Sequence, residues 1–219
     1  MRSLLSFVGS ALIAVHRLRR RRHRRRAWQM AFVGAALTGA MITARATSVA
    51  PPTFPQLVAE SDVIIRGTVD DVTSRWVDGP QGRVIKTFVT VTVDKRLKGD
   101  PPNPLRLEFL GGTVGSDSLN VAGMPQFTVG RTEILFIHGN GVQFCPLVRM
   151  MHGRYRVRTD ATTQRRYVAR DDRMPVTSTS DVGRPEGATA RRSARTAAAA
   201  LSPEAFEAAI ANEVTHPTR

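Results

Sequence analysis

The fold class is decided by one stretch of the chain, Val84-Ile85-Lys86-Thr87-Phe88-Val89-Thr90-Val91-Thr92-Val93. From Val89 onward every second residue is valine, and the residues between them are threonines. A period of two built from β-branched side chains is typical of a strand with one buried face. We therefore predict a long strand in which Val89, Val91 and Val93 line the core.

The neighbouring segments predict more strands. Residues 62–72 are rich in β-branched side chains, with Gly67 as the expected bend, and the turn-forming residues 78–82 join them to the central stretch in a hairpin. Shorter strands are predicted at 105–109, 133–137, 154–158 and 166–168. Because no helical pattern separates these strands, we expect a mainly β fold, a small antiparallel barrel or sandwich, over residues 47–170.

Three motifs follow one another in an order that is found in a known group of proteins. They are Asp62-Val63-Ile64-Ile65-Arg66-Gly67-Thr68-Val69, Val93-Asp94-Lys95-Arg96-Leu97-Lys98-Gly99-Asp100 and Val129-Gly130-Arg131-Thr132-Glu133-Ile134-Leu135-Phe136-Ile137. Over residues 57–140 the chain resembles uncharacterised exported bacterial proteins and, more distantly, the OB-type barrel of netrin-like and metalloproteinase-inhibitor domains. Those inhibitors chelate a catalytic metal with an N-terminal cysteine, whereas the single cysteine here is Cys145. The resemblance therefore implies an OB-like β-barrel and not the inhibition.

The first 46 residues have the composition of an export signal. They contain ten arginines and no acidic residue, and the first carboxylate of the chain is Glu60. An arginine block up to Arg26 precedes an apolar stretch, which ends in Ala44-Arg45-Ala46. This is the order of a signal peptide with a small-x-small cleavage site. We predict export to the periplasm or the cell exterior, with cleavage between Ala46 and Thr47.

An uncleaved membrane anchor is the alternative for the same segment. The apolar stretch at 27–44 has about 18 residues, close to the roughly 20 that a spanning helix needs. In that case the arginines stay on the cytoplasmic side, and the N-terminal segment makes the membrane contact. Both alternatives place the remainder of the chain outside the cytoplasm.

The charge of the body argues against a nucleic-acid partner. The whole chain has 32 basic and 18 acidic residues and a formal net charge of +14. Ten of the basic residues lie in the first 46 residues, so the remainder has 22 basic and 18 acidic residues, a balance of +4. A nucleic-acid-binding domain is usually far more basic than this. We therefore predict no nucleic-acid partner.

The C-terminal part is predicted to consist of a linker and a helix. Between residues 171 and 200 Ser, Thr, Gly, Pro, Ala and Arg dominate, which predicts a disordered linker. Ser202 then suits an N-cap, and Pro203 suits the first helical position. We predict an amphipathic helix over residues 201–215 that docks on the β domain or binds a partner.

The sequence contains no recognisable catalytic, cofactor or metal motif. His138 and His152 have no acidic residue at a metal-ligand spacing, and Gly111-Gly112 is not followed by the Lys-Ser/Thr of a phosphate-binding loop. Cys145 has no intramolecular disulfide partner, and its apolar neighbours predict that it is buried. We predict a protein that is not an enzyme and has no cofactor.

Two features are candidates for ligand binding. Arg154, Arg156 and Arg158 alternate along one predicted strand and so share a face suited to an anionic ligand, although a solvated face that protects a sheet edge gives the same pattern. Met124, in the loop 111–126, is the other candidate. We predict an exported β-barrel module that binds a protein or a cell-envelope component. The alternative is an exported hydrolase or metal-dependent enzyme whose site has no local motif.

Overall fold

A computed structural model describes residues 50–79, 82–183 and 197–218, which belong to one compact unit spanning residues 48–219. The predicted signal peptide or anchor at 1–46 lies outside the described residues. Residues 184–196 of the predicted linker lie outside them as well. None of the helices in the described ranges is long and apolar enough to cross a membrane.

A long antiparallel hairpin forms the centre of the fold. Strand β1 (Val63–Gly79) pairs with β2 (Gly82–Lys98), which contains the valine–threonine stretch. The register shifts between Arg66 and Gly67 and again between Val69 and Asp71, so the hairpin bends there. A Cβ at Gly67 would lie 2.5 Å from Val91 Cγ1, so only glycine allows this close approach. The predicted hairpin and its bend are confirmed.

Six further strands complete the β structure of the described residues. They are β3 (Leu105–Leu110), β4 (Gly112–Val114), β5 (Asp117–Leu119), β6 (Thr132–Ile137), β7 (Arg154–Thr159) and β8 (Arg166–Arg170). The main sheet has the order β3-β2-β1-β6-β7-β8, with every neighbouring pair antiparallel, and β4 pairs with β5 in a separate small sheet. The prediction of a mainly β, antiparallel fold is confirmed. The described strands form an open sheet and not a closed barrel, because β3 and β8 are its two edges.

Loop residues occupy the outer edge of β3. The side chain of Asn140 accepts a hydrogen bond from the Glu108 N–H at 3.1 Å and donates one to the Arg106 carbonyl at 2.8 Å. The Leu110 N–H donates to the Phe144 carbonyl at 2.8 Å. The loop that follows β6 therefore takes the place of a neighbouring strand along this edge.

Two helices cover one face of the sheet. Helix α1 (Phe54–Glu60) begins with a capping box between Thr53 and Gln56, and helix α2 (Pro203–Thr215) begins at the N-cap Ser202. The predicted C-terminal helix is confirmed, and it docks on the sheet. Its buried Glu207 accepts from Arg66 at 2.7 Å and from Lys95 at 2.8 Å, which joins α2 to β1 and β2.

The sheet separates two hydrophobic cores. The helix-side core contains Ile64, Phe136, Tyr155, Phe206 and other side chains from both helices. The loop-side core lies on the opposite face; its buried members are Ile65, Val69, Val89, Val91, Val93, Leu105, Leu107, Phe109, Leu135, Ile137, Cys145 and Leu147. The predicted burial of Val89, Val91 and Val93 is confirmed, as is that of Cys145. The start of β1, Val63–Ile65, and most of β6, Ile134–Ile137, read as continuous apolar runs because both faces of the sheet are buried there.

The predicted disordered linker is wrong over residues 171–183. Val176 and Val182 are buried in the helix-side core, and the Val176 N–H donates to the Val168 carbonyl of β8 at 2.9 Å. Further along, Ala197 and Ala200 are buried beside Tyr167. Few but well-placed apolar residues anchor this segment, which average composition does not reveal.

Candidate functional site

Strand β7 does not present its three arginines as one exposed face. Arg154 is only 2% exposed, and its guanidinium donates to both carboxylate oxygens of Glu133, at 2.7 Å and 2.6 Å. Its remaining terminal nitrogen donates to Asp171 at 3.1 Å. Two parallel hydrogen bonds in this geometry make a strong, specific pair. The prediction of an exposed face is therefore wrong at Arg154, which forms a buried structural pair.

The next two arginines of β7 become progressively more exposed. Arg156 is half-buried and donates from one terminal nitrogen to Asp171 at 3.0 Å. Its Nε atom is buried and has no hydrogen-bond partner among the described residues. Arg158 is exposed. Because a buried donor is normally satisfied, Arg156 has hydrogen-bonding capacity that the described residues leave unused.

Residues from three segments complete a cavity around these arginines. The cavity has a volume of about 250 Å³, and Arg131, Arg173, Thr128 and Thr132 line it together with the β7 residues. We call this cavity the arginine pocket. Arg131, Arg158 and Arg173 are exposed and make no side-chain hydrogen bond or ion pair with any described residue. Its five arginines face two carboxylates, Glu133 and Asp171, which leaves a formal surplus of three positive charges.

Backbone contacts fix the loops that contribute to the arginine pocket. The turn before β6 is tied to β1 because the Gly130 N–H donates to the Val69 carbonyl and the Val69 N–H donates to the Arg131 carbonyl. Arg173 has a φ of 68°, in the left-handed region, at the turn that follows β8. These turns bring Arg131 and Arg173 beside β7, although they are separated from it in the sequence.

Met124 belongs to a second cavity, which we call the neutral cleft. Its volume is about 270 Å³, and it lies between the β1–β2 hairpin, the β4–β5 hairpin and the loop that follows them. Met124 is half-buried and packs against the loop-side core. None of the residues that line the neutral cleft carries a charge. Part of the predicted loop 111–126 forms one wall of the cleft as the β4–β5 hairpin.

One aromatic side chain connects the two cavities. Phe127 lines the neutral cleft, and its ring lies 5.1 Å from the ring of Phe109. The guanidinium carbon of Arg154 lies 4.3 Å from the centroid of the Phe127 ring. A cation placed over an aromatic ring is attracted to it. The buried arginine of one cavity therefore stacks on a wall of the other.

The histidines have environments that the sequence did not predict in full. His138 has an acidic partner that is distant in the sequence, since its Nδ1 atom lies 2.9 Å from Asp62 Oδ2. The Gly139 N–H donates to the same carboxylate, and this hydrogen bond, reinforced by His138, lowers the pKa of Asp62. His152 is half-buried in a 3₁₀ turn. In the described ranges no three His, Cys, Asp or Glu side chains are grouped as metal ligands.

Comparison with known proteins finds no family model and no curated protein that matches the chain. Sequence reasoning named Arg154, Arg156, Arg158 and Met124, and missed Arg131, Arg173 and the carboxylates Glu133 and Asp171. The register of β6 against β7 was the missing information, because it places Glu133 opposite Arg156 and diagonally across from its ion-pair partner Arg154. The sequence offered one indication of this pairing: the predicted strand at 133–137 contains an acidic residue and the one at 154–158 contains arginines, and such charges stabilise each other when the strands are neighbours.

Proposed function

We propose that this protein is an exported, non-enzymatic binding module that holds an anionic group of a protein or cell-envelope partner in the arginine pocket. One observation carries the proposal: three arginines around a cavity of about 250 Å³ have no partner within the described chain. Guanidinium groups bind carboxylates and phosphates in a bidentate manner. The hydroxyl groups of Thr128 and Thr132 are further donors at the same cavity.

The buried network beneath the pocket supports the same proposal. Arg154 is held by Glu133 and Asp171, so its charge is neutralised and its position is fixed. Asp171 in turn orients Arg156. A charged group held in place by packing and ion pairs binds a ligand with less loss of side-chain entropy than a free surface arginine.

The binding test uses the full chain with inorganic phosphate and with polyphosphate as probes in calorimetric titration. The variant Arg158→Gln/Arg173→Gln should weaken binding about tenfold or more, because each substitution removes a charge-assisted donor. Arg83→Gln is the matched control, since Arg83 is an exposed arginine at the far end of the β1–β2 hairpin. Equal losses in both variants, or no binding of either probe, would show that the pocket is not an anion site.

An exported hydrolase is the second candidate, and the His138–Asp62 pair is the observation in its favour. A histidine oriented by a carboxylate is one component of many hydrolytic sites. The protein and its His138→Ala variant can be assayed against esterase, peptidase, glycosidase and phosphatase substrates. Turnover that this substitution abolishes would replace the binding proposal with an enzymatic one.

Export and an OB-like fold are parts of the same proposal. The order of basic block, apolar stretch and Ala44-Arg45-Ala46 supports export. The strongly bent β1–β2 hairpin, together with the loop that occupies the edge of β3, supports a relation to OB-type barrels. Mass spectrometry of the protein from an envelope fraction should find Thr47 as its first residue. A protein that begins at or before Arg26 would support the membrane anchor instead.

A further inference from the structure

The neutral cleft has a composition unlike that of the rest of the surface. It is lined by sixteen residues, none of them charged, although 23% of the chain is charged. An ionic ligand would lose its hydration there without gaining an opposite charge. The occupant of this cleft is therefore expected to be uncharged.

The polar side chains of the cleft are all hydroxyls and carboxamides. They are Ser74, Thr87, Thr113, Ser118, Asn120 and Gln126. Asn120 and Gln126 are exposed and make no side-chain hydrogen bond with any described residue. Each of these groups can both donate and accept. They suit a ligand that presents several hydroxyl or amide groups close together.

The apolar side chains of the cleft belong to Val72, Phe109, Leu110, Leu119, Val121, Met124, Pro125 and Phe127. Among them the ring of Phe127, which packs on the buried Phe109, and the flexible thioether of Met124 can pack against C–H groups. A volume of about 270 Å³ is near the lower end of small-molecule sites, which matches a single ring with its substituents. From these three properties we propose that the neutral cleft binds one uncharged sugar ring of a glycan.

A peptide strand fits the cleft less well. Strand addition needs backbone groups that are free to pair. At Gly111 the N–H donates to the Ile85 carbonyl at 2.8 Å, and the carbonyl accepts from Thr87 Oγ1 at 2.7 Å. Gly112 is already paired with Leu119. At Gly111 the wall therefore offers no backbone group that is free to pair with a peptide strand, and the neighbouring side chains are the groups that suit a sugar.

Close packing defines the shape of this wall. A Cβ at Gly112 would lie 2.3 Å from Ser74 Oγ and 2.4 Å from Thr87 Oγ1, and the φ of Gly112 is 131°. Glycine is thus required where the β4–β5 hairpin crosses the central hairpin. The two hydroxyls at this crossing are 2.8 Å apart, so their positions are fixed before any ligand binds.

The test is NMR titration of the full chain with glucose, galactose, mannose and N-acetylglucosamine at millimolar concentrations. At least one of them should shift the backbone amide resonances of Gly111, Gly112 and Asn120. Glucosamine, the cationic relative of N-acetylglucosamine, should bind more weakly. The double variant Asn120→Ala/Gln126→Ala should weaken binding about tenfold, because it removes two hydrogen-bonding groups.

The controls separate this proposal from that for the arginine pocket. Asn212→Ala, at an exposed position of α2, should leave sugar binding unchanged, and so should Arg158→Gln/Arg173→Gln. Thermal melting establishes that each variant is folded, and both altered cleft residues are exposed. The proposal is overturned if no sugar shifts the cleft resonances. It is overturned equally if the double variant binds as the parent does, or if a neutral tripeptide binds there and sugars do not.

Discussion

The arginine pocket and the neutral cleft are cavities of similar size on the same unit, and their chemistry is opposite. The first is lined by five arginines, whereas the second contains no charged residue. They are joined by the stacking of Arg154 on Phe127. A strongly basic surface and an uncharged surface therefore lie side by side on this domain. The overall balance of charges of the chain therefore says little about which ligand either cavity recognises.

The largest effect is expected from a substitution in the loop-side core, on which the neutral cleft rests. Val91 is fully buried in the loop-side core, against which Met124 and Phe127 pack. Val91→Asp buries an unpaired charge, and we expect a loss above about 5 kcal/mol, comparable with the whole stability of a small domain. Circular dichroism should therefore detect no cooperative unfolding transition.

Val142→Asp is the matched control for that change. Val142 is 90% exposed, so the same substitution places its carboxylate in water. The control should melt within a few degrees of the parent. If Val91→Asp melted like the control, the valine face of β2 would be accessible to solvent and the assignment of the loop-side core would be wrong.

Loss of the buried ion pair should have the next largest effect. Arg154→Met leaves Glu133, which is 1% exposed, without its partner. We expect a decrease of about 3–5 kcal/mol in the free energy of unfolding, measured by urea denaturation. Anion binding should be lost with it, because Arg156 and Asp171 lose their neighbour.

The double variant Glu133→Leu/Arg154→Met tests the cause of that loss. If the uncompensated carboxylate is responsible, removing it should restore much of the stability, since buried ion pairs are often replaceable by apolar pairs. A double variant as unstable as the single one would show that the packing of Arg154 on Phe127, and not its charge, is what matters.

A single substitution at Phe127 should affect both cavities. Phe127→Ala removes the ring contact with Phe109 and the contact with Arg154, and we expect a loss of about 1–3 kcal/mol. Both phosphate and sugar binding should weaken. Phe144→Ala, at a phenylalanine that is 52% exposed, should change neither the stability nor the binding by a comparable amount. Unchanged binding in Phe127→Ala would mean that the two cavities are independent.

Salt should distinguish the two cavities most simply. Raising sodium chloride from about 0.05 M to about 0.5 M shortens the screening length severalfold and should weaken phosphate binding by about tenfold. Sugar binding should not change, because the neutral cleft has no charge to screen. An equal loss of both would show that the sugar binds elsewhere, near charged groups.

The sequence allowed the main strands to be predicted because their periodicity is local. The β1–β2 hairpin, β3, β6 and the β7–β8 hairpin all follow from alternation and turn residues, and α2 follows from its N-cap. The short strands β4 and β5 were missed, since three residues do not establish a period. Residues 171–183 were misassigned because two buried valines anchor a segment of otherwise polar composition.

The candidate site was less predictable because it depends on contacts between distant residues. Alternation placed Arg154, Arg156 and Arg158 on one side of a strand, but it contained no information on what covers that side. Arg154 is buried because Glu133 faces it from the adjacent strand, and Asp171 approaches from the turn after β8. Arg131 and Arg173 reach the pocket from separate turns, so no local motif could include them.

The side chain of Asn140 protects the edge of the sheet against pairing with a second copy of the chain. An uncovered edge strand is a template on which other copies add strands, the first step of aggregation. The Asn140 carboxamide accepts from Glu108 and donates to the Arg106 carbonyl, so it imitates one peptide unit of a missing strand. A carboxylate at this position keeps the acceptor but loses the donor. Conversion of this one amide to an acid would therefore leave the Arg106 carbonyl without its partner and weaken the cover of the β3 edge against a second copy of the chain.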